Sequence, residues 1–379
     1  MVAGEASGDR LGAALIQGLL RSVPDIEFQG VAGPDMLANG CPSLFDMSEL
    51  SIMGLTEILP KYMGLKRRLS QTVAAVIKYQ PDVLITIDSP DFCLRVAKAV
   101  RAIAPSIRTV HYVAPTVWAW RPKRAKKMAQ FIDHVLALFP FEPPYMEAEG
   151  MHCDFVGHPL AATPEVSFEQ VTEFQKLIGL DPDRPTLVVL PGSRHSEIKH
   201  LLPIFCTTLS QLDFSDVQLI FPTLPHLAVL VRYHIQILPQ DCFILTGEGL
   251  SAHEAAKQRF TAFSASKAAL AASGTVSLEL AATGTPMVIA YNMGLLSRVI
   301  IGGMLRVDTV TLVNLVSNTH DVPEFIGKYC RADLIAPALV KILADPHSQE
   351  HAMQKTMELL GRGDDALTDC AAKAVLARL

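Results

Sequence analysis

Short apolar segments recur along the chain, each followed by a turn of small or polar residues and then by a helix-like stretch. They are VLITID (83–88), TVHYV (109–113), HVLALF (134–139), DFV (154–156), TLVVL (186–190), VQLIF (217–221), CFIL (242–245) and PMVIA (286–290). Nearly continuous apolar runs are typical of strands buried on both faces of a parallel sheet. Strands that alternate with helices therefore predict an α/β protein with right-handed crossovers.

A proline-rich, polar stretch interrupts this pattern at residues 158–184. The chain has 379 residues, half of them hydrophobic, which is enough for two cores. We predict two doubly wound Rossmann-like domains, 1–160 and 185–360, with a linker region at 161–184 and ligand in the cleft between the carboxyl ends of their strands. The C-terminal helix, 361–379, is expected to return to, or exchange with, the other domain.

Charge and hydropathy exclude several classes of protein. A net charge of −5 argues against a nucleic-acid binder, whose affinity depends on basic charge. Mean hydropathy is +0.28, yet no apolar run is long enough to span a membrane, so contact with a membrane surface is the expectation that remains. The seven cysteines show no C-x-x-C spacing and no secretory signal is visible, which predicts free thiols and a cytoplasmic location.

Two turns in the second half suit a diphosphate. LPGSR (190–194) and SGTVSLE (273–279) each place small residues at the start of a predicted helix, where backbone N–H groups and the helix dipole attract anions. The candidate ligands are Gly192, Ser193, Arg194, Ser273, Gly274 and Thr275, with Glu279 placed to accept from a ribose diol. The alternatives are a helix cap with a solvated arginine and an exposed surface glutamate.

In the first half, Asp88 ends an apolar strand, where a buried sheet would deliver a carboxylate that can act as a general base. A turn or capping role is the alternative. The turn GEASGD (4–9) also precedes a predicted helix and could approach an anionic or sugar ligand, although many such turns use Gly and Ser only to reverse the chain.

Two further segments combine apolar or aromatic residues with basic ones. HYVAPTVWAW (111–120) contains both tryptophans and precedes a basic cluster, which suits sugar, phosphate or lipid headgroups, or is a solvated helix face. Residues 50–69 can form an interfacial patch with a basic border, or an ordinary core helix. The candidate membrane or acceptor surface comprises Leu55, Ile58, Leu59, Lys66, Arg67, Arg68, Trp118 and Trp120.

Together these segments resemble the lipid-A-disaccharide synthase family, glycosyltransferases of the two-domain glycosyltransferase-B fold. The motifs that carry the resemblance are AGEASGD (3–9), GVAGPDM (30–36), IMGLTEIL (52–59), PDVLITIDSPDF (81–92), HYVAPTVWAWRPKR (111–124), FPFE (139–142), FVGHPL (155–160), LPGSR (190–194) and SGTVSLE (273–279). They run in order over most of the chain, and HYVAPTVWAWR is the most specific.

The resemblance implies an inverting transfer from UDP-2,3-diacylglucosamine to 2,3-diacylglucosamine 1-phosphate (lipid X), at the cytoplasmic face of the inner membrane of a Gram-negative bacterium. It implies that Asp88 is the base, that Arg194 and the 273–275 turn stabilise departing UDP in place of a metal, and that Glu279 holds the ribose. Asn314 would contact substrate, and Glu5 and Ser7 would face the acceptor. The apolar patch around residues 52–69 would dock on the membrane, with Leu201 and Leu202 as an extension of that surface. No cofactor, metal or nucleic acid is expected, and a homodimer is an open alternative to a monomer.

Three other functions remain open at this point. A peptidoglycan precursor glycosyltransferase or a UDP-N-acetylglucosamine 2-epimerase would share the phosphate turn and the ribose glutamate, but would not require HYVAPTVWAWR. A nucleotide-sugar-binding protein without turnover is the third, since the first predicted strand is only a stub. A dehydrogenase is disfavoured because no G-x-G-x-x-G follows a predicted strand.

Overall fold

The computed structural model describes residues 1–50, 55–118, 123–211, 216–292, 308–364 and 369–379, and of residues 55–62 only the helical backbone. The chain divides into two compact units, Met1–Pro159 with Gly363–Leu379, and Leu160–Arg362. Each unit surrounds its own parallel sheet with helices. No helix in the described ranges is both long and apolar enough to cross a membrane.

The first unit contains a five-stranded parallel sheet. Its strands follow one another in space as they do in sequence: β1 (Val2–Ala3), β2 (Val83–Ile87), β3 (Arg108–Tyr112), β4 (His134–Ala137) and β5 (His152–Phe155). The helices are α1 (Ala6–Ser22), α2 (Pro34–Ala38), α3 (Leu55–Tyr79), α4 (Pro90–Ile103), α5 (Lys123–Met128) and α6 (Pro143–Glu147). Strand residues such as Leu84, Val110 and Val135 are almost fully buried, as the apolar runs predict.

The second unit contains a six-stranded parallel sheet. Its strands are β6 (Thr186–Leu190), β7 (Gln218–Pro222), β8 (Cys242–Leu245), β9 (Ala268–Ala272), β10 (Met287–Tyr291) and β11 (Glu324–Ile326), in the spatial order β11-β10-β9-β6-β7-β8. The order reverses at β6, which is where doubly wound sheets bind ligands. The helices are α7 (Phe168–Ile178), α8 (His195–Ser210), α9 (Ala228–Ile235), α10 (Ala252–Ser264), α11 (Val276–Ala282), α12 (Leu312–Ser317), α13 (Ala332–Ala344) and α14 (Glu350–Leu359).

The C-terminal helix α15 (Cys370–Leu376) packs against α1 of the first unit. A Cβ on Gly18 would lie 2.9 Å from the Cβ of Ala372, so the close approach of the two helices requires glycine there. Beyond the helix, Arg378 donates from Nε (2.8 Å) and Nη2 (3.2 Å) to the carboxylate of Asp154, at the end of β5. The end of the chain therefore completes the first unit.

Candidate active site

Ser7 and Asp88 meet at the carboxyl edge of the first sheet. β1 pairs with β2 in parallel, with Ala3 opposite Ile87, so the residues that follow the two strands lie side by side. The hydroxyl of Ser7 donates to a carboxylate oxygen of Asp88 at 2.9 Å. Asp88 is half-buried and Ser7 exposed, so the oriented carboxylate remains accessible. The structure thus brings together two residues that are 81 positions apart in the sequence.

The backbone at this edge is strained. Asp88 and Ser89 adopt φ values of 52° and 39°, in the left-handed region that residues with a Cβ seldom adopt. Pro90 disfavours the right-handed helical conformation for Ser89. Gly4 packs so closely that a Cβ there would lie 2.6 Å from the Ser89 hydroxyl oxygen. Strain of this kind persists where the surroundings enforce it, commonly at functional sites.

Glu5 and Asp9 of the same turn differ sharply in environment. Glu5 is exposed at the N-cap of α1, as expected of a residue that faces a ligand. Asp9 is 2% exposed, and its carboxylate accepts the N–H groups of Gly33 (2.8 Å), Asp35 (2.8 Å) and Met36 (3.1 Å) at the start of α2. Asp9 therefore joins two of the sequence motifs to each other, a structural role that the sequence analysis missed.

Trp118 lies in the interior, which corrects its predicted place on a membrane or acceptor surface. It is 7% exposed, and its indole Nε1 donates to Glu142 at 3.3 Å. Its ring meets that of Phe141 edge-on, with 5.1 Å between centroids. An indole N–H that finds a carboxylate partner can be buried at little cost, which the sequence pattern could not reveal. Trp120 lies outside the described residues.

Glu142 is itself almost fully buried, with 1% exposure. Burial raises its pKa to about 8, although the N–H groups of Phe139 and Trp118 favour the ionised form and oppose that rise. The neighbouring imidazole of His158, 5.5 Å from the ring of Phe139, has its pKa lowered by burial to about 4. These groups form a buried to half-buried aromatic cluster at the carboxyl ends of β4 and β5.

His111, in the middle of β3, is fully buried beside Thr86 of β2. The Thr86 hydroxyl donates to the carbonyl of Val110 (3.2 Å), so it accepts from Nδ1 of His111 (2.8 Å), which places the ring proton on Nδ1. Burial, with a smaller contribution from Arg124, lowers the pKa of His111 to about 3. The imidazole is neutral and belongs to the core.

The predicted membrane surface is described only in part. The side chains of Leu55, Ile58 and Leu59 lie outside the described residues, while Lys66 and Arg67 are exposed on α3. Arg68 instead donates to Glu49 and stacks over the ring of Phe45, 4.6 Å from its centroid. Its head group is thus held by the protein.

Leu201 and Leu202 were expected to extend that surface, and the structure contradicts this. Both are fully buried in α8 against the second sheet. Helix α8 carries apolar residues over much of its circumference, so the sequence alone does not distinguish its core face from its outer face.

The turn after β6 is organised by Glu197. Its Oε2 accepts the N–H groups of Ser193 (3.0 Å) and Arg194 (3.3 Å), and its Oε1 accepts from the Arg194 guanidinium at 3.1 Å. Gly192 has φ = 116°, and a Cβ there would lie 2.6 Å from Glu197 Oε2. Burial, and then the Glu197 carboxylate, raise the pKa of Tyr291 at the end of β10. Glu197, which the sequence analysis did not select as a ligand, thus sets the shape of this turn and holds Arg194, 70% exposed, at its mouth.

The turn after β9 lies at the same edge, since Leu190 of β6 is paired with Ala271 of β9. Gly274 and Thr275 are exposed there and Ser273 is half-buried. Glu279, one helical turn further, accepts from the guanidinium of Arg259 on α10 at 2.9 Å. The structure therefore brings together both predicted diphosphate turns and the predicted ribose glutamate.

Asn314 is not exposed to a substrate, which corrects its predicted contact. It is 1% exposed; its amide donates to the Val322 carbonyl (2.9 Å) and the Thr309 hydroxyl (3.3 Å), and its carbonyl oxygen accepts the N–H of Val322 (3.0 Å). Both amide protons are thus committed. Asn314 fixes the loop around α12, and any effect on a ligand passes through that loop.

Within the described ranges, no three His, Cys, Asp or Glu side chains are grouped so that they could hold a metal ion. The candidate carboxylates of each unit lie on separate elements: Asp88 follows β2 in the first unit, while in the second Glu197 lies on α8 and Glu279 on α11.

Comparison with known proteins covers nearly the whole chain. The family model for lipid-A-disaccharide synthetase matches residues 1–375. The lipid-A-disaccharide synthase of Ruegeria pomeroyi is 52% identical over 381 residues, covering 100% of this chain and 94% of that protein. The enzyme of the same name from Rhodospirillum centenum is 42% identical, with 99% and 93% covered.

Solved structures share the fold at low sequence identity. The putative UDP-N-acetylglucosamine 2-epimerase of Listeria monocytogenes gives a TM-score of 0.64 at 13% identity, covering 100% of this chain and 96% of that one. Anabaena Alr3699/HepE, solved in complex with UDP and glucose, gives 0.61 at 12% identity, with 100% and 99% covered. These likenesses confirm the predicted glycosyltransferase-B fold class, and on the evidence of the family model and the relatives, the chain belongs to the lipid-A-disaccharide synthase family.

Proposed function

We propose that this chain transfers the diacylated glucosamine of UDP-2,3-diacylglucosamine to the 6-hydroxyl of 2,3-diacylglucosamine 1-phosphate (lipid X). The new bond joins the donor's anomeric carbon to the acceptor oxygen, the bond to UDP breaks, and the hydroxyl proton passes to a base. The family membership over residues 1–375 is the observation that carries this proposal. Because an α-linked donor gives a β-1,6-linked product, a single inverting displacement suffices.

Asp88 is the base of this proposal. Its carboxylate is accessible at the sheet edge, and the hydrogen bond from Ser7 leaves one carboxylate oxygen for the acceptor hydroxyl. Proton transfer to a positioned carboxylate contributes about 10²–10⁴-fold to a rate. Exposed Glu5, on the adjoining turn, would contact the acceptor sugar.

The second unit would hold the donor. The Arg194 guanidinium and the turn of Ser273, Gly274 and Thr275 present cationic and N–H groups at one edge of the sheet, as a departing diphosphate requires. Glu279, which Arg259 holds at the same edge of the sheet, would accept from the ribose hydroxyls. Glu197 supports the proposal indirectly, because it fixes the position of Arg194.

A peripheral membrane contact completes the proposal, since both substrates carry acyl chains. Helix α3 presents the exposed residues Met63, Lys66 and Arg67. An apolar side chain beside basic ones suits an anionic lipid surface. Co-sedimentation with anionic vesicles should fall for Lys66→Glu/Arg67→Glu and stay unchanged for Arg95→Glu/Lys98→Glu, a matched pair of exposed sites on α4.

The substrate assignment is tested by supplying lipid X with either UDP-2,3-diacylglucosamine or UDP-N-acetylglucosamine in mixed micelles. Disaccharide and UDP in equal amounts from the acylated donor alone support the proposal. Epimerisation of the unacylated donor, or transfer only to a water-soluble acceptor, would assign the chain to another reaction of this fold.

A further inference from the structure

The loop after β3 begins with a strained residue. Val113 has φ = 81°, a conformation that a β-branched side chain adopts only when its surroundings enforce it. The strained position adjoins Asp88, because the Asp88 N–H donates to the carbonyl of Tyr112 at 2.9 Å. Residues 113–118, which we call the β3 loop, therefore start beside the proposed base.

The first half of the β3 loop is held by the sheet. The N–H of Val113 donates to the carbonyl of Leu136 on β4 at 3.0 Å, and Ala114 is 4% exposed. Thr116 in its middle is exposed at the carboxyl edge. The loop thus exposes Thr116 and returns to the core at Val117 and Trp118.

The other end of the β3 loop is held by Glu142. One carboxylate oxygen accepts the indole N–H of Trp118 (3.3 Å) and the other accepts the backbone N–H of Phe139 (3.1 Å), so Glu142 joins the loops that follow β3 and β4. A carboxylate with 1% exposure is costly to bury, and an apolar pair of similar volume commonly gives equal or greater stability. The cost therefore points to a positional role.

We propose that Glu142 is a positioning residue for the acceptor: through Trp118 it holds the β3 loop in its strained conformation beside Asp88. The inference rests on the proposed function of Asp88. It predicts that loosening the loop weakens acceptor use and leaves the donor unaffected, since the donor groups belong to the second unit.

The test measures steady-state KM for each substrate and kcat in Glu142→Gln, Trp118→Phe and the double variant. Glu147→Gln, the same substitution at an exposed position of α6, is the control. In Glu142→Gln, the side-chain NH₂ group faces either the indole N–H of Trp118 or the backbone N–H of Phe139, so one hydrogen bond is lost. Trp118→Phe removes the indole N–H itself. Either should lower kcat/KM for lipid X by about 10–100-fold, in line with a displacement on the order of 1 Å, while the donor KM stays within about twofold. The double variant should lose little more than the worse single variant.

Equal changes in both KM values, fully additive losses, or folded variants with unchanged kcat/KM for lipid X would overturn the proposal. If Glu142→Gln does not fold, Trp118→Phe decides alone, because it retains a ring in the aromatic cluster. The Asp88→Asn variant distinguishes failure of the base assignment from failure of the positioning role of Glu142. If Asp88→Asn turns over at the wild-type rate, Asp88 is not the base, and the proposed role of Glu142 fails with that assignment. Lost turnover in Asp88→Asn, with unaltered kcat/KM for lipid X in Trp118→Phe, would overturn only the role of Glu142.

Discussion

Replacing Asp9 should destabilise the first unit without any direct effect on a ligand. In Asp9→Asn the amide oxygen can keep two of the three N–H donors, but its NH₂ group then faces the N–H of Asp35. One buried donor left unpaired costs about 1–3 kcal/mol. Asp9→Ala leaves all three unpaired, and we expect a loss of about 3–5 kcal/mol, the range found when a buried charged partner is removed.

Urea unfolding followed by intrinsic fluorescence measures this loss in the first unit, because the chain has two tryptophans, Trp118 and Trp120, both in the range assigned to that unit. Asp35→Asn, which removes an exposed carboxylate from the same helix start, is the control and should change the free energy of unfolding by less than about 0.5 kcal/mol. If Asp9→Asn is as stable as this control, the three N–H contacts to Asp9 do not stabilise the first unit as proposed.

Three further substitutions test other parts of the structure. His111 has its pKa lowered to about 3 from an ordinary value of 6.5, so the stability tied to its neutral form is present above pH 6.5 and lost as the pH falls toward 3; thermal melts of His111→Gln should show a flatter acid dependence than those of the wild type. In Gly192→Ala the added Cβ would lie 2.6 Å from Glu197 Oε2, and the UDP affinity measured by calorimetry should fall about tenfold. Gly179→Ala is strained but meets no neighbour, so it should leave the UDP affinity unchanged; equal affinities would contradict the role of the turn. Arg378→Gln should lower the free energy of unfolding by about 1 kcal/mol, because it removes the contacts to the partly exposed carboxylate of Asp154. An unchanged free energy of unfolding would place the C-terminal helix outside the stable unit.

The alternation of strands and helices was readable from the sequence because strands buried on both faces are apolar throughout. Thr186–Leu190 and Cys242–Leu245 have the predicted bounds, and the other predicted strands shift by one or two residues. Ala268–Ala272 was missed, since alanine favours helices and gives little strand signal. It forms a strand because it lies between β6 and β10, which are rich in β-branched residues.

The candidate site was predictable where a motif ends a strand and unpredictable where it depends on a partner far along the chain. Asp88 and the turns at 190–194 and 273–275 stand at the carboxyl edges where the pattern placed them. Two hydrogen bonds depend on contacts between separate loops: the one from the Trp118 indole to Glu142, and the one from the Asn314 amide to the Val322 carbonyl. Residue type and spacing carry no record of such contacts.

The proposed mechanism depends most on proton removal from the acceptor hydroxyl by Asp88, a single assignment. Its most direct test is single-turnover disaccharide formation by Asp88→Asn at saturating substrates, beside Asp91→Asn, which neutralises the exposed carboxylate three residues further on. We expect a loss of about 10²–10⁴-fold in the first variant and wild-type rates in the second, with UDP affinity unchanged in both. A rate for Asp88→Asn within about threefold of the wild type would rule out Asp88 as the base, as would equal losses in the two variants.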